Sequence, residues 1–327
     1  MMKKMLKWML FYLCSTAYVC AEIYKVDEIE RLCSKCIIST TQIHIPGHPK
    51  AFNPSILKVD KGFLLSFRVE YDVDHIGLVY LSENFEILSS PKLLPIGKNP
   101  HDSRLFFLKE EIFLFFNDAT SNDCRKMFFS KIHITEEGHF ICSPPLKLLI
   151  EGHHDEFPME KNWVPFEYEG ELYCSYFIIP HMILKVDILT GVCHFIYNTG
   201  MMIQWPLGQM RGGTPANLID GEYLAFFHSS TSMCSIFQDQ RKRKNYYMSA
   251  YVFSAEPPFE VTKIIPFPLC HESFYKKASR KQRVVFPCGY VNNGNAIYIS
   301  YGVDDEEIWI AKINLEELQK IFVPVQA

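Results

Sequence analysis

The sequence predicts an all-β fold: one five-bladed β-propeller, with a short N-terminal leader segment and short helices near its ends. Three observations predict it. A strand–turn–strand unit recurs five times, the turns inside the units are hairpin turns, and no segment before residue 310 holds a long 3.6-residue period.

Each unit is a polar cluster, a short apolar strand, a tight turn, and then a very apolar strand. The first strand begins at Asn53, Asp102, Lys161, Gly213 or Val285, so the spacings are 49, 59, 52 and 72 residues. The turns read Asp60-Lys61-Gly62, Lys109-Glu110, Glu169-Gly170, Asp220-Gly221 and Asn293-Gly294. Residues of this kind tolerate the positive φ that two-residue hairpins require. Further apolar runs follow at 76–81, 127–134, 181–187, 246–253 and 308–313. That makes about four strands per unit, the content of a propeller blade. A pair of β-sandwiches is the alternative, disfavoured by the regularity of the unit. The longest interval holds the basic run 238–244, read as a solvated loop. Helices are expected at 26–33 and at 315–321, the second capped by Asn314.

At ~150 residues per domain, the 327 residues would suggest two domains. The repeat replaces that with a single propeller over 51–327. Hydrophobic residues make up 48% and charged residues 21%, which excludes a disordered or fibrous chain. A net charge of −4 gives no basic field that would point to nucleic acid.

Residues 1–21 read as a signal peptide. Lys3, Lys4 and Lys7 form the positive region, 8–19 the apolar stretch, and Val19-Cys20-Ala21 the cleavage site. The apolar stretch is short of the ~20 residues of a membrane span. The expected location is therefore periplasmic or secreted, with no membrane span after cleavage. Segment 22–50 is expected to pack on the propeller. Cleavage removes three lysines and takes the net charge to −7. Of 11 cysteines, nine remain, an odd number. Cys33 and Cys36 form a lone CxxC without a second pair, so neither a zinc site nor another metal site is expected. The scattered cysteines read as small hydrophobes.

In a propeller the innermost strands line a central channel. Asp102 and Arg104 are two apart, which in a regular strand puts them on one face. Lys161, Arg211, His228 and Asp305 occupy matching places in other units, and Arg68 and His228 both end the second strand of their unit. The reading is a mouth of carboxylates and cations, suited to a polyhydroxylated or anionic ligand. Ion pairs that only tie blades together are the bland alternative. Most aromatics fill strands; Trp163 and Tyr301 remain as candidates for sugar contact.

Five segments, one per unit and in order, carry a resemblance. They are Phe52-Asn53-Pro54 with Ser66-Phe67-Arg68, His101-Asp102-Ser103-Arg104, Glu160-Lys161-Asn162-Trp163, Arg211-Gly212-Gly213-Thr214-Pro215 with Phe227-His228, and Tyr301-Gly302-Val303-Asp304-Asp305. Over about 52–318 the chain resembles glycoside hydrolase family 130, the β-mannoside phosphorylases and related mannosidases. The resemblance implies inverting attack on a β-mannosidic bond, with Asp102 as the acid acting through a mannose hydroxyl. It implies phosphate as nucleophile and co-substrate, held by Arg68, Lys161 and His228, with no cofactor. Asn53, Arg104, Asp305 and Tyr301 are the residues expected at the sugar. An anionic nucleophile needs no second carboxylate to activate water. The family's Glu-Asp-Pro-Arg reads His-Asp-Ser-Arg here, which puts the sugar subsite in question. The expected partner is an oligosaccharide or glycan. The alternative is an exported propeller that binds glycans without turning them over.

Overall fold

The computed structural model describes residues 35–121, 124–152, 159–200, 203, 205–234, 242–275 and 282–325. The leader 1–21, the helix expected at 26–33, Cys33, and residues 238–241 of the basic run lie outside the described residues.

Five sheets follow one another along the chain, each built on the antiparallel strands of the predicted unit, with short parallel additions at Leu149–Ile150 and Gln282–Arg283. The first blade comprises Phe52–Val59, Gly62–Glu70, Asp74–Leu81 and Lys92–Leu93. The second is built on His101–Leu108, Glu111–Ser121 and Cys124–Ile134. The third has Val164–Tyr168, Glu171–Phe177, His181–Val186 and Val192–Thr199. In the fourth, the inner edge is split into Arg211–Gly212 and Asn217–Ile219, both paired with Glu222–Cys234, which pairs with Lys242–Ser254. Residues 242–244 of the basic run thus continue a strand. Pro215 explains the split, because proline cannot donate to a ladder. The fifth blade comprises Val285–Asn293, Ala296–Val303 and Glu307–Asn314.

The fifth blade takes its outer strand from the other end of the chain. Ile37–Ile43 pairs antiparallel with Glu307–Asn314. Within segment 22–50, these residues belong to the propeller itself. At the opposite terminus, Val323–Pro324 pairs with Val261–Ile264 of the fourth blade. Both ends are therefore held by backbone hydrogen bonds to strands distant in sequence. The helix Leu315–Gln319 begins where Asn314 accepts a hydrogen bond from the Glu317 amide, and it buries Leu315 and Leu318.

The hairpin turns follow the sequence. Lys109 and Glu110 have φ of 51° and 61°, Glu169 and Gly170 50° and 74°, Asp220 and Gly221 51° and 81°. Two successive positive φ values match the right-handed twist of the flanking strands. In the last unit the turn sits one residue later than expected, with Asn293 still in its strand and Gly294 at φ 69°.

The apolar residues of each blade pack against the next blade in five large clusters, with a small sixth of Val284, Phe286 and Cys288. Leu64, Leu78, Leu105 and Phe116 join the first blade to the second. Phe115, Trp163, Cys174 and Leu184 join the second to the third. Phe166, Tyr251, Phe253 and Phe259 join the third to the fourth. Phe226, Ile297 and Tyr301 join the fourth to the fifth, and Phe63, Phe67, Val291 and Ile310 close the ring. Each fully buried phenylalanine contributes roughly 2–3 kcal/mol of transfer free energy. That accounts for most of the aromatic content. Among the described residues no helix is long and apolar enough to cross a membrane.

Candidate active site at the channel mouth

The inner strands approach too closely to leave an open pore. A Cβ on Gly289 would lie 2.4 Å from Ser55 Oγ, and one on Gly212 would lie 2.3 Å from Asn162 O. Serines tie these strands together: the Leu105 amide donates to Ser55 Oγ at 2.9 Å, and Ser300 Oγ donates to Pro54 O at 2.7 Å. Functional groups are therefore confined to the mouth.

At that mouth the inner strands are irregular in a repeated way. Asn53, Asp102 and Asn162, which open the inner edges of the first three blades, all have positive φ, of 46°, 53° and 65°. Pairing slips between Phe52 and Ser55, and again between His101 and Arg104. Such bulges re-aim side chains and occur preferentially beside active sites.

The bulge separates Asp102 from Arg104. The strict alternation that would set both on one face is interrupted there. Arg104 is completely buried and donates to the carbonyls of Gly213, Gly212 (3.2 Å) and Asp102 (3.2 Å). Its guanidinium pins the second blade to the fourth rather than facing the mouth. Asp102 instead accepts from Asn53 Nδ2 at 2.9 Å and lies 3.5 Å from Arg68 Nη1. Burial raises the Asp102 pKa, but Arg68, His101, Arg104 and the Asn53 hydrogen bond outweigh it, leaving it below the usual carboxylate range.

Arg68 is gripped from the other side. Its Nε and Nη2 donate to the two oxygens of Asp74 at 2.9 and 3.0 Å, and its guanidinium stacks 4.8 Å above the Phe52 ring. His101 Nε2 lies 2.5 Å from Asp74 Oδ2, 2.9 Å from Arg68 Nη2 and 2.7 Å from Arg125 Nη2. One ring nitrogen offers either a proton or a lone pair. It therefore satisfies the carboxylate or a guanidinium, not both. Burial together with the two arginines lowers the His101 pKa against the opposing Asp74 bond. Asp74 is driven well down: burial alone would raise it, but the bonds from His101 and Arg68 prevail.

The other expected residues divide. Lys161 is half-buried and has no hydrogen-bond or ion-pair partner among the described residues; it lines a cleft of about 180 Å³ with Asn162, Tyr176, Gln209 and Arg211. Burial lowers its pKa, Asp102 opposes this, and Arg211, Arg125 and Lys244 add to the lowering. His228 is buried opposite Arg211 in the ladder, its ring 4.4 Å from that of Phe286. Burial, then Arg104, push its pKa down to about 3, so the ring is neutral at pH 7. Asp305 is pushed up to about 6, mainly by burial, with Arg68 opposing and Asp102, Asp304 and Glu70 adding. Tyr301 is not at the mouth surface. It has no exposure, packs 4.9 Å from Phe274 and bonds Ser273 Oγ at 3.2 Å, all within the fourth–fifth blade core. Trp163 is likewise buried, donating to Glu160 at 3.1 Å.

Two buried polar atoms have no hydrogen-bond partner among the described residues: Asn53 Oδ1 and His228 Nδ1. Both belong to residues of the mouth. Asp74 and Arg125 were not singled out from the sequence. The available signal was charge at Arg125 and Lys126 inside an otherwise apolar run, and an aspartate directly before the run 76–81.

The fold and the mouth define a five-bladed propeller that gathers the carboxylates of Asp74, Asp102 and Asp305, a clamped arginine, a lysine without a partner among the described residues, and a neutral histidine. The family model for β-1,4-mannooligosaccharide phosphorylase, of glycoside hydrolase family 130, matches residues 202–323. Among solved structures, a glycosyl hydrolase from Bacteroides ovatus is 13% identical with a TM-score of 0.62, covering 89% of this chain and 92% of that one. The β-1,2-mannobiose phosphorylase of Listeria innocua is 15% identical at 0.59, covering 86% and 93%. A mannose phosphorylase from Leishmania mexicana, solved with a phosphate ion, is 13% identical at 0.59, covering 89% and 92%. No curated protein sequence matches the chain. The chain is thus a propeller like those of glycoside hydrolase family 130.

Proposed function

We propose that this protein is a carbohydrate-active enzyme that cleaves or transfers a β-mannosyl group, with Asp102 as the acid and phosphate as the nucleophile. The observation that carries this reading is the pair of orphaned buried atoms, Asn53 Oδ1 and His228 Nδ1, belonging to residues that adjoin Asp102 or interact with its charge. Buried polar atoms are ordinarily satisfied, and a ligand rich in hydroxyl groups satisfies both kinds. The family-model match supports the same reading.

In the reaction, phosphate oxygen bonds to the anomeric carbon as the glycosidic C–O bond breaks on the opposite face. The leaving oxygen takes a proton that originates at Asp102 and passes through a sugar hydroxyl. The residues assign the roles unequally. Arg68 is already neutralised by Asp74, so it holds Asp102 rather than serving as a free anion site. Lys161, with Arg211 beside it, supplies the uncompensated positive charge. His228, being neutral, is a hydrogen-bond partner for phosphate, not a third cation. In the ligand-free protein Asp102 is ionised at neutral pH. A bound phosphate offsets the cationic field and raises the acid toward its protonated form.

The test is incubation with β-1,2- and β-1,4-mannooligosaccharides, with and without phosphate, and with mannose 1-phosphate plus a sugar acceptor. Mannose 1-phosphate formed only with phosphate, and lost in Asp102→Asn, is the expected result. Free mannose without phosphate dependence assigns hydrolysis instead. No product under any condition, or product that survives Asp102→Asn, overturns the proposal. The ionised resting Asp102 and the His-Asp-Ser-Arg sequence favour a second reading, a glycan binder without turnover. It requires glycan binding that persists in Asp102→Asn.

A further inference from the structure

Asp74 and Arg68 face the His101 ring from the first blade, Arg125 faces it from the third strand of the second, and Asp102 follows it on its own strand. The three direct contacts all fall on one atom, Nε2. Asp74 Oδ2 can only accept there, and the two guanidiniums can only donate. Arg68 is little affected by this competition, since its Nη2 also donates to Asp74. Arg125 is placed differently. Its Nη1 donates to Asn99 O at 3.0 Å and Asn117 Oδ1 at 2.9 Å, but His101 Nε2 is the only partner of its Nη2 among the described residues.

The ring therefore has two states with different consequences. With a proton on Nε2 it donates to Asp74, and Arg125 Nη2 is left without an acceptor. With the proton on Nδ1 alone, Nε2 accepts from Arg125, and Asp74 keeps only Arg68. The neutral ring can adopt either form; the imidazolium can adopt only the first. Arg125 is half-buried and its charge reaches Asp102 and Lys161, so an acceptor for Nη2 would come from the mouth. A guanidinium N–H left without a partner is costly, and an oxyanion is the strongest acceptor that could meet it.

We infer that His101 is a positioning residue that links phosphate binding to uptake of a proton: the donating ring holds Asp74 and leaves Arg125 Nη2 to an oxygen of the incoming phosphate. The inference rests on the phosphate reading above. Burial keeps the ring below its ordinary pKa, Asp74 opposes, and Arg68 and Arg125 add to the lowering. An anion beside the two arginines offsets their fields, so the ring gains its proton as the anion binds. A glutamate at this position could not do the same. It would set a second carboxylate against Asp74 and hold Arg125 at every pH above its own titration.

The experiment measures KM for phosphate and kcat between about pH 5.5 and 8.5 in the wild-type protein, His101→Gln and Arg125→Met. A glutamine amide can donate to Asp74 and accept from Arg125 at once, without titrating. The ratio of variant to wild-type KM at each pH cancels the ionisation of phosphate itself. For His101→Gln that ratio is expected to be about tenfold at pH 5.5 and near one at pH 8.5, tenfold being the linkage of one pKa unit. The value of kcat moves less than KM. Arg125→Met shows the same downward trend and serves should His101→Gln fail to fold. A ratio that does not change with pH overturns the inference, including one raised equally throughout, as a purely structural role would give. If the wild type turns over no mannoside, the enzymatic reading has failed, and inorganic sulfate, which does not titrate in this range, tests the ring by itself. Calorimetry in two buffers of different ionisation heat is then expected to show more proton uptake on sulfate binding in the wild type than in His101→Gln. Any uptake at Asp102 is common to both proteins and drops out. No sulfate binding, or equal uptake in the two proteins, overturns the inference.

Discussion

Asn53 Nδ2 donates to Asp102 Oδ1 at 2.9 Å, and both residues hold left-handed backbone, with φ of 46° and 53°. They occupy equivalent positions at the start of neighbouring blades. One blade's opening residue therefore orients the candidate acid of the next. The left-handed conformation turns each side chain out of strand alternation and toward the mouth. It also confines the position to residues that tolerate positive φ, among which Asn and Asp are favoured.

Separating the backbone role of Asn53 from its side-chain role gives the first prediction. Asn53→Ala loses the amide that holds Asp102 and puts a Cβ-bearing residue without local hydrogen bonding into left-handed backbone. It is expected to destabilise the fold by about 2–3 kcal/mol in urea unfolding. Asn53→Gly removes the same amide but relieves the backbone, so about 1 kcal/mol returns. Both variants lose turnover equally. Equal stability of the two variants would contradict the backbone argument.

Gly302 makes the arrangement of Asn53 sensitive to a single methyl group. A Cβ there would stand 2.3 Å from Asn53 Oδ1 and 2.9 Å from its backbone nitrogen. The side chain could rotate away, but the backbone could not. Gly302→Ala is expected to cost about 3 kcal/mol and to lower kcat through displacement of Asp102. Thermal unfolding and steady-state rates on the same preparation check it. A variant of wild-type stability and rate shows that the fifth blade does not constrain the site.

The five blades were legible because their signal is local: paired apolar strands around turns such as Glu169-Gly170 and Asp220-Gly221, repeated in order. The outer strand Ile37–Ile43 was not, because its partner lies some 270 residues away and no local pattern names it. At the site, the expectation for Arg104 used strand alternation, and a bulge at Asp102 cancels alternation. Bulges depend on cross-strand register, which a lone sequence does not display. Tyr301 was picked for its neighbourhood in the last unit. The strand Ala296–Val303 ends before Asp305, which lies in the following turn, so strand alternation says nothing about whether the two side chains share a direction. Asp74 joins His101 of the next blade, and Arg125 reaches the same ring from the far strand of the second blade, contacts that depend on tertiary geometry rather than local pattern.

The reassigned role of Arg104 is directly testable. Its three carbonyl partners span the second and fourth blades, and the planar fork is what reaches them together. A lysine keeps the charge but satisfies fewer acceptors in a fully buried place. Arg104→Lys is expected to destabilise by about 3 kcal/mol. The KM for phosphate of whatever folded protein remains stays near the wild-type value. A stable variant with a large rise in that KM would return Arg104 to the ligand.

Asp305 gives the site a pH dependence of stability whose sign differs from the usual carboxylate. Its folded pKa is about 6, above the ordinary value of 3.8, chiefly because burial disfavours the charge. The folded state therefore binds the proton more tightly than the unfolded chain does. Between about pH 4 and 6 stability falls as pH rises, and the penalty is complete above the folded value. Asp74 runs the other way: its pKa is lowered by His101 and Arg68, so its contribution is present above the ordinary carboxylate value and disappears in stronger acid. The two windows adjoin near pH 4, so Asp305 is isolated by working above it. Asp305→Asn removes the charge without removing the shape. It is expected to raise stability by about 2 kcal/mol at pH 7.5 and by about a third of that at pH 4.5. Urea unfolding of both proteins at the two pH values measures the difference directly. A stabilisation equal at both would mean that the Asp305 charge is not what the fold pays for.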